Sequence, residues 1–225
     1  MPRTITHQLR FDRLLQKGDD AFTVVKLMMA CNDMSLANQA LADWKATTAK
    51  DRKDRKIAAG MYFVRLELSH LYEAVDLISA IEKTPSLRAL VDRCDVRTRD
   101  SYAAVLAHAP GGTERKRFER LAGMMRNNLT FHYAESNKLI AEAMTDRASR
   151  ADGNLSAMTR ADTIHRWRFN IADDVVDSIV VRNFWQIPRD ADLREEADKI
   201  VDEIQAVLVR FADFSGEFIW KFCAD

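Results

Sequence analysis

The sequence predicts an all-α fold, a multi-helix up-and-down bundle with additional C-terminal helices. Three observations carry that reading. Apolar residues recur at alternating steps of three and four along most of the chain, the period of a helix buried along one face. Gly and Pro number only seven and four in 225 residues, few for the turns of a β-rich protein. No alternating apolar–polar pattern competes over any long stretch. Residues 1–18 read as an N-terminal arm, and 19–225 as a single helical domain.

The arm is polar and could also be a short helical lead-in. Asp19 or Asp20 caps a helix running to about Trp44, with Phe22, Val25, Met29 and Leu36 on one side as its apolar face. The charged stretch ATTAKDRKDRK leads into the strongest helix, about 52–82. There Ile57, Met61, Val64, Leu68, Leu71, Val75 and Ile78 recur at steps of four and three. Tyr62, Leu66 and Leu77 form a second apolar side, so this helix is expected to be central. Thr84-Pro85 opens a short helix over 85–93, Pro being well placed at the first helical position. Another is expected over about 98–108, ended by the break APGGT at 109–113. Thr113 can cap the next helix, with Phe118, Leu121, Met125 and Leu129 inward. Leu139, Ile140, Ala143 and Met144 mark a further helix to about Ala148. Residues 149–162 read as a loop, and TIHRWRFN (163–170) alternates as a short strand would. Ile171 to Ile187 reads as a helix with Val175, Val176, Ile179, Val180 and Phe184 on one face, stopped by Pro188. Asp192 caps the last helix, whose stripe is Ala197, Ile200, Ile204, Val207, Phe211, Phe214 and Phe218.

Composition narrows the function classes. Thirty-four Lys and Arg balance thirty-four Asp and Glu, so no global charge draws the chain to nucleic acid or to a membrane surface. Cys31, Cys94 and Cys223 are odd in number and widely spaced, with no C-x-x-C, which argues against a disulfide framework or a zinc ribbon and suits a reducing cytoplasm. Neither a signal peptide nor a membrane-spanning run is expected, and no metal or other cofactor is called for.

The most informative stretch is RNNLTFHY, residues 126–133. An Arg–His pair at this spacing is common by chance in a chain with 23 Arg and five His, and it recurs here as Arg65…His70 and Arg160…His165. Only Arg126 is followed by a polar residue, Asn127, and only His132 is bracketed by the aromatics Phe131 and Tyr133. RNNLTFHY resembles the R-polar-x(3–5)-H motif of the HEPN superfamily, with Arg126, Asn127 and His132 at the motif positions. The architectural likeness covers about residues 50–150, and leaves the C-terminal helices, about 171–223, outside it.

The resemblance implies a helical bundle acting on RNA, in many members as a metal-independent endoribonuclease of toxin–antitoxin or phage-defence systems. Arg126 would stabilise the charge on a phosphorane-like transition state. Asn127 would position Arg126 or His132, and His132 would take the 2′-hydroxyl proton or protonate the 5′-oxygen. Tyr133 would support the histidine. One histidine cannot serve both proton transfers in one step, so a homodimer is expected, and an antitoxin protein is a further partner the resemblance implies. A catalytically inactive HEPN-like binding or regulatory module is the second reading.

Six residues along an unbroken α-helix separate two side chains by ~9 Å and ~120°. A helix break at Asn127-Asn128 is therefore expected, with His132 in the first turn of the following helix, where the dipole disfavours imidazolium. His70 and Glu73 are supporting candidates, because Glu73 on an apolar side needs a partner such as Arg126. Glu67-x-x-His70 is also half of a ferritin-like dimetal site, with Asp162-x-x-His165 as its only near counterpart. Arg115, Lys116, Arg117 and Arg120 form a basic run just upstream of the motif that could extend an RNA track, as could 160–169.

Overall fold

The computed structural model describes residues 6, 8–46, 56–130, 136–150, 155–160, 162–163 and 167–224, the side chains at 56–60 excepted. The chain is an all-α helical bundle. Its helices are α1 (Phe11–Leu15), α2 (Asp19–Ala46), α3 (Lys56–Lys83), α4 (Pro85–Asp92), α5 (Val96–Leu106), α6 (Arg115–Phe118), α7 (Asn137–Ala148), α8 (Asn170–Ile179) and α9 (Leu193–Ala224). Among the described residues, π-helical turns at Glu119–Gly123, Arg126–Thr130 and Val180–Phe184 extend them. The chain divides into two compact units. One comprises Met1–Met34, Glu73–Arg115 and Ala206–Asp225, and the other Ser35–Tyr72 and Lys116–Gln205.

The first unit is built from regular helices around an aromatic core. Phe211, Phe214 and Phe218 of α9 are fully buried, as the stripe of that helix requires. Tyr102 of α5 packs on Phe214 with ring centroids 4.9 Å apart, and Phe214 lies 5.1 Å from Phe218. The Tyr102 hydroxyl donates to Glu82 Oε2 at 2.6 Å, so the one polar tip in this cluster is satisfied. Val75, Ile78 and Ile81 of α3 and Leu87, Leu90 and Val91 of α4 complete the core. Pro85 stands at the start of α4 as expected, while Thr84 Oγ1 donates back to Ala80 O at 2.8 Å instead of capping. Asp95 caps α5 by accepting from Thr98 N at 2.8 Å.

One expected face is inverted. Ala21, Val24, Leu27, Met34, Ala37 and Leu41 of α2 are buried, and Phe22, Val25, Met29 and Leu36 face outward. Apolar residues are spread almost evenly around this helix, so periodicity alone does not select the buried side.

In the second unit the expected stripe Phe118, Leu121, Met125 and Leu129 is buried, as are Leu68 and Leu71 of α3. Ile179, Val180 and Phe184 are fully buried as well, and Asp192 Oδ1 accepts from Arg194 N at 2.9 Å and Glu195 N at 3.0 Å to start α9. Gly123 makes a close approach possible: a Cβ there would lie 2.7 Å from Tyr72 Cε2 and 2.8 Å from Glu119 Oε1. Tyr72 stacks on Phe118 with centroids 5.9 Å apart, and its hydroxyl donates to Glu119. Of the strand expected over 163–170, the described residues hold β2 (Arg168–Phe169), which pairs antiparallel with β1 (Met158–Thr159). Residues 164–166, His165 included, lie outside the described residues.

The break expected at Asn127-Asn128 is absent. The chain stays helical from Arg115 to Thr130, and it accommodates the motif by widening into π turns rather than by ending a helix. Asn128 does not cap. Its Nδ2 donates back to Met124 O at 2.8 Å, so the polar side chain reinforces the turn before it.

Candidate functional site

Fully buried Met125 and nearly buried Leu129 anchor the π turn Arg126–Thr130 and leave Arg126, Asn127 and Asn128 half-buried on its outer side. Arg126 Nη1 donates to Asn127 Oδ1 at 2.8 Å. Two of the three motif residues are thus hydrogen-bonded to each other, as chain neighbours on one turn. His132 and Tyr133 lie outside the described residues.

Side chains from elsewhere donate to the backbone carbonyls of this turn. Arg65 Nη1 of α3 donates to Leu129 O at 3.2 Å, and Ser136 Oγ, itself buried, donates to Asn128 O. Ser69 Oγ donates to Arg65 O at 2.8 Å and lies 3.0 Å from Thr130 Oγ1, which in turn is 3.3 Å from Met125 O. The backbone on either side of 131–135 is therefore tied down by Arg65, Ser69 and Ser136. Sequence reasoning passed over these three. Arg65 carried a signal only as another Arg–His pair, and nothing local marked Ser69 or Ser136 as its helpers.

Near Arg65 stands a second overlooked group. Asp177 of α8 is half-buried, and its carboxyl is pushed up to about 6. Burial is the main cause and the neighbouring Asp173 adds to it, while Arg65 opposes the shift. Arg147 opposes it too, and Asp174 reinforces it.

The basic run is unequal. Arg115 pairs with Asp76 at 2.6 Å, and Arg117 makes a two-pronged pair with Glu203. Lys116 is exposed, and Arg120 is half-buried with an Nε that finds no acceptor among the described residues. Two of the four cations are thus already matched by carboxylates, which leaves Lys116 and Arg120 as the stronger candidates for phosphate.

The remaining candidates fare differently. Glu73 is exposed, and His70 is half-buried. Glu67 is buried and accepts from Asn38 Nδ2 at 2.9 Å, which occupies the carboxylate that a dimetal site would use. Among the described residues, no three His, Cys, Asp or Glu side chains gather as metal ligands would, and no helix is long and apolar enough to cross a membrane. No family model, curated protein or solved structure matches this chain.

Proposed function

We propose that this chain acts on RNA as a HEPN-like protein, through metal-independent cleavage of the phosphodiester backbone. The observation that carries the reading is the Arg126–Asn127 hydrogen bond on a π turn. An oriented guanidinium can hold two oxygens of one phosphate, and π turns within helices recur at functional sites. In the reaction the 2′-hydroxyl attacks the adjacent phosphorus and loses its proton to a base, and the 5′-oxygen leaves with a proton from an acid. His132 supplies one of these groups and His132 of a second copy the other, with Tyr133 in support. Arg126 neutralises the charge gathered on the non-bridging oxygens. Lys116 and Arg120 extend the contact along the backbone, with Arg115 and Arg117 at its edge. The site works in a reducing cytoplasm, in keeping with three cysteines that form no disulfide, and an antitoxin protein would restrain it.

The test compares the wild type with His132→Ala on a mixed RNA pool in excess chelator. Cleavage by the wild type that survives chelator and is lost in the variant supports the reading. Equal cleavage by both removes His132 from the mechanism. RNA binding without cleavage in either protein replaces the nuclease with an inactive binding module.

A further inference from the structure

Between α7 and α8 lies a pocket of about 130 Å³ that the RNA reading does not use. The pairs Glu142–Asn183, Asp146–Ser178 and Arg147–Asp174 step in opposite directions along the two segments, so α7 runs antiparallel to α8 and its π turn. Met144 and Arg147 line the pocket from one face of α7, and Ile171, Asp174 and Val175 from one face of α8, as spacings of three and four residues place them. The ribbon β1–β2 adds Ser156 to the wall, and Asn170 N donates to Ala157 O at 2.9 Å to hold the ribbon at the start of α8.

The walls are of two kinds. Met144 and Ile171 are 50% and 49% exposed, and with Val175 they offer an apolar surface. A cavity of about 150 Å³ holds a benzene molecule, so this pocket suits an apolar group the size of one aliphatic side chain. The other wall is charged. Arg147 Nη2 stands 3.4 Å from Asp174 Oδ1. Among the described residues the Arg147 guanidinium makes this ion pair and no hydrogen bond, so its N–H donors are unspent. Asp174 accepts from Ser156 Oγ at 2.7 Å, one of the roughly four hydrogen bonds that a carboxylate can take.

The two charges select the ligand. An anion reaching for Arg147 meets the Asp174 carboxylate, and a cation reaching for Asp174 meets the Arg147 guanidinium. A molecule that carries both charges is attracted by both groups. It exchanges one 3.4 Å ion pair for two sets of charge-assisted hydrogen bonds. Arg147 and Asp174 are neighbours, so both charges must sit at one end of the ligand and the apolar group at the other. An α-amino acid has that layout.

We propose that the groove between α7 and α8 binds a free α-amino acid with an aliphatic side chain, its carboxylate on Arg147, its ammonium on Asp174 and its side chain against Met144, Ile171 and Val175. The site is independent of the RNA reading and stands or falls separately from it.

Isothermal titration calorimetry of the full chain tests the proposal, with L-leucine as the probe. Leucine binds at a single site with a dissociation constant of about 1 mM or lower, ordinary for a ligand of so few atoms. Isocaproate lacks the ammonium, isoamylamine lacks the carboxylate and glycine lacks the side chain, and each binds at least about tenfold more weakly. Arg147→Gln and Asp174→Asn each weaken leucine by about tenfold or more. Asp174→Asn also binds isocaproate more tightly than the wild type does, because the repelling charge is gone, a gain that a misfolded variant cannot give. Absence of saturable leucine binding overturns the proposal. So does isocaproate or isoamylamine matching leucine, which makes the pocket a site for a simple anion or cation. Leucine binding unchanged in both variants puts the ligand elsewhere and overturns it as well. Tighter binding of N-acetylleucine than of leucine replaces the free amino acid with the C-terminus of a peptide.

Discussion

The second unit contains the same dipeptide twice on the same kind of turn, Arg126-Asn127 in the π turn Arg126–Thr130 and Arg182-Asn183 in the π turn Val180–Phe184. Their side chains are used in different ways. Arg182 Nη1 donates to Ile187 O at 2.6 Å, closing the turn where Gln186 takes a left-handed φ of 56° and the chain leaves its helix. Asn183 Nδ2 donates to Glu142 Oε2 of α7 at 3.1 Å. Both groups of this second pair are spent on holding the fold. In the first pair the arginine bonds to its own asparagine, while Arg65 donates to Leu129 O and Ser136 to Asn128 O from elsewhere. A polar residue after an arginine therefore does not mark a site by itself. What separates the two in the bonds described is the acceptor, a main-chain carbonyl for Arg182 and the neighbouring amide side chain for Arg126.

The sharpest way to break this comparison is to remove each arginine in turn. Arg126→Ala should lower RNA turnover by about 10²–10³-fold, the loss typical of a transition-state charge stabiliser, with a smaller change in thermal stability. Arg182→Ala should do the reverse. Loss of a charged donor to a main-chain carbonyl costs about 1.5–3 kcal/mol, read as a lower unfolding midpoint in urea, with any RNA turnover of the folded protein within about threefold of the wild type. If both variants lose turnover and stability alike, the two turns do the same work, and Arg126 is a structural residue.

Asp177 offers the next largest effect, through pH. Its carboxyl titrates near 6 in the fold against about 3.8 in the unfolded chain, so between these values the folded state holds the extra proton. Folding stability from this group is therefore complete below about pH 4 and is lost as pH rises through about 6. The groups that set this are Asp173 and Asp174 on its own helix, Arg65 on α3 and Arg147 on α7. Asp177→Asn should flatten the stability profile between about pH 4 and pH 6 and raise stability at pH 7 by about 1–2 kcal/mol, discounted for partial solvation. A profile identical to that of the wild type would mean that the carboxyl is solvated, and that the surroundings of Arg65 are less dry than the structure indicates.

How much of this was legible follows from the range of each interaction. Leu68, Leu71, Val75 and Ile78 of α3, Ile200, Ile204, Val207, Phe211, Phe214 and Phe218 of α9, and Phe118, Leu121, Met125 and Leu129 are written in local spacing and lie buried as that spacing requires, while Met61, Val64 and Ala197 of the same stripes are half-buried. The inward face of α2 was not, because a helix apolar on several sides leaves the choice to its neighbours. The π turns escaped for a different reason. Shifting the hydrogen-bond ladder by one residue leaves the apolar spacing almost unchanged, and only Gly123, placed in mid-helix against Tyr72, hinted that the backbone departs from the regular form. Arg126 and Asn127 could be found in the sequence because they are adjacent. Arg65 and Ser69 could not, because they reach Leu129 and Thr130 from 64 and 61 residues away.

The smallest effects are the most discriminating, because they concern the two asparagines. Asn183 reaches Glu142 at an exposed site, where water replaces a lost partner at little cost, so Asn183→Ala should shift stability by no more than about 0.5 kcal/mol and leave turnover alone. Asn127 orients a guanidinium, and orientation matters more to a reaction than to a fold. Asn127→Ala should cost about tenfold in turnover at saturating RNA, equivalent to about 1.4 kcal/mol, with a KM changed by less than about threefold and stability altered no more than in Asn183→Ala. A KM effect without a turnover effect would recast Asn127 as a contact to bound RNA in its ground state. Equal and negligible effects at the two asparagines would leave the Arg126–Asn127 hydrogen bond without a function, and the proposed site would lose the observation on which it rests.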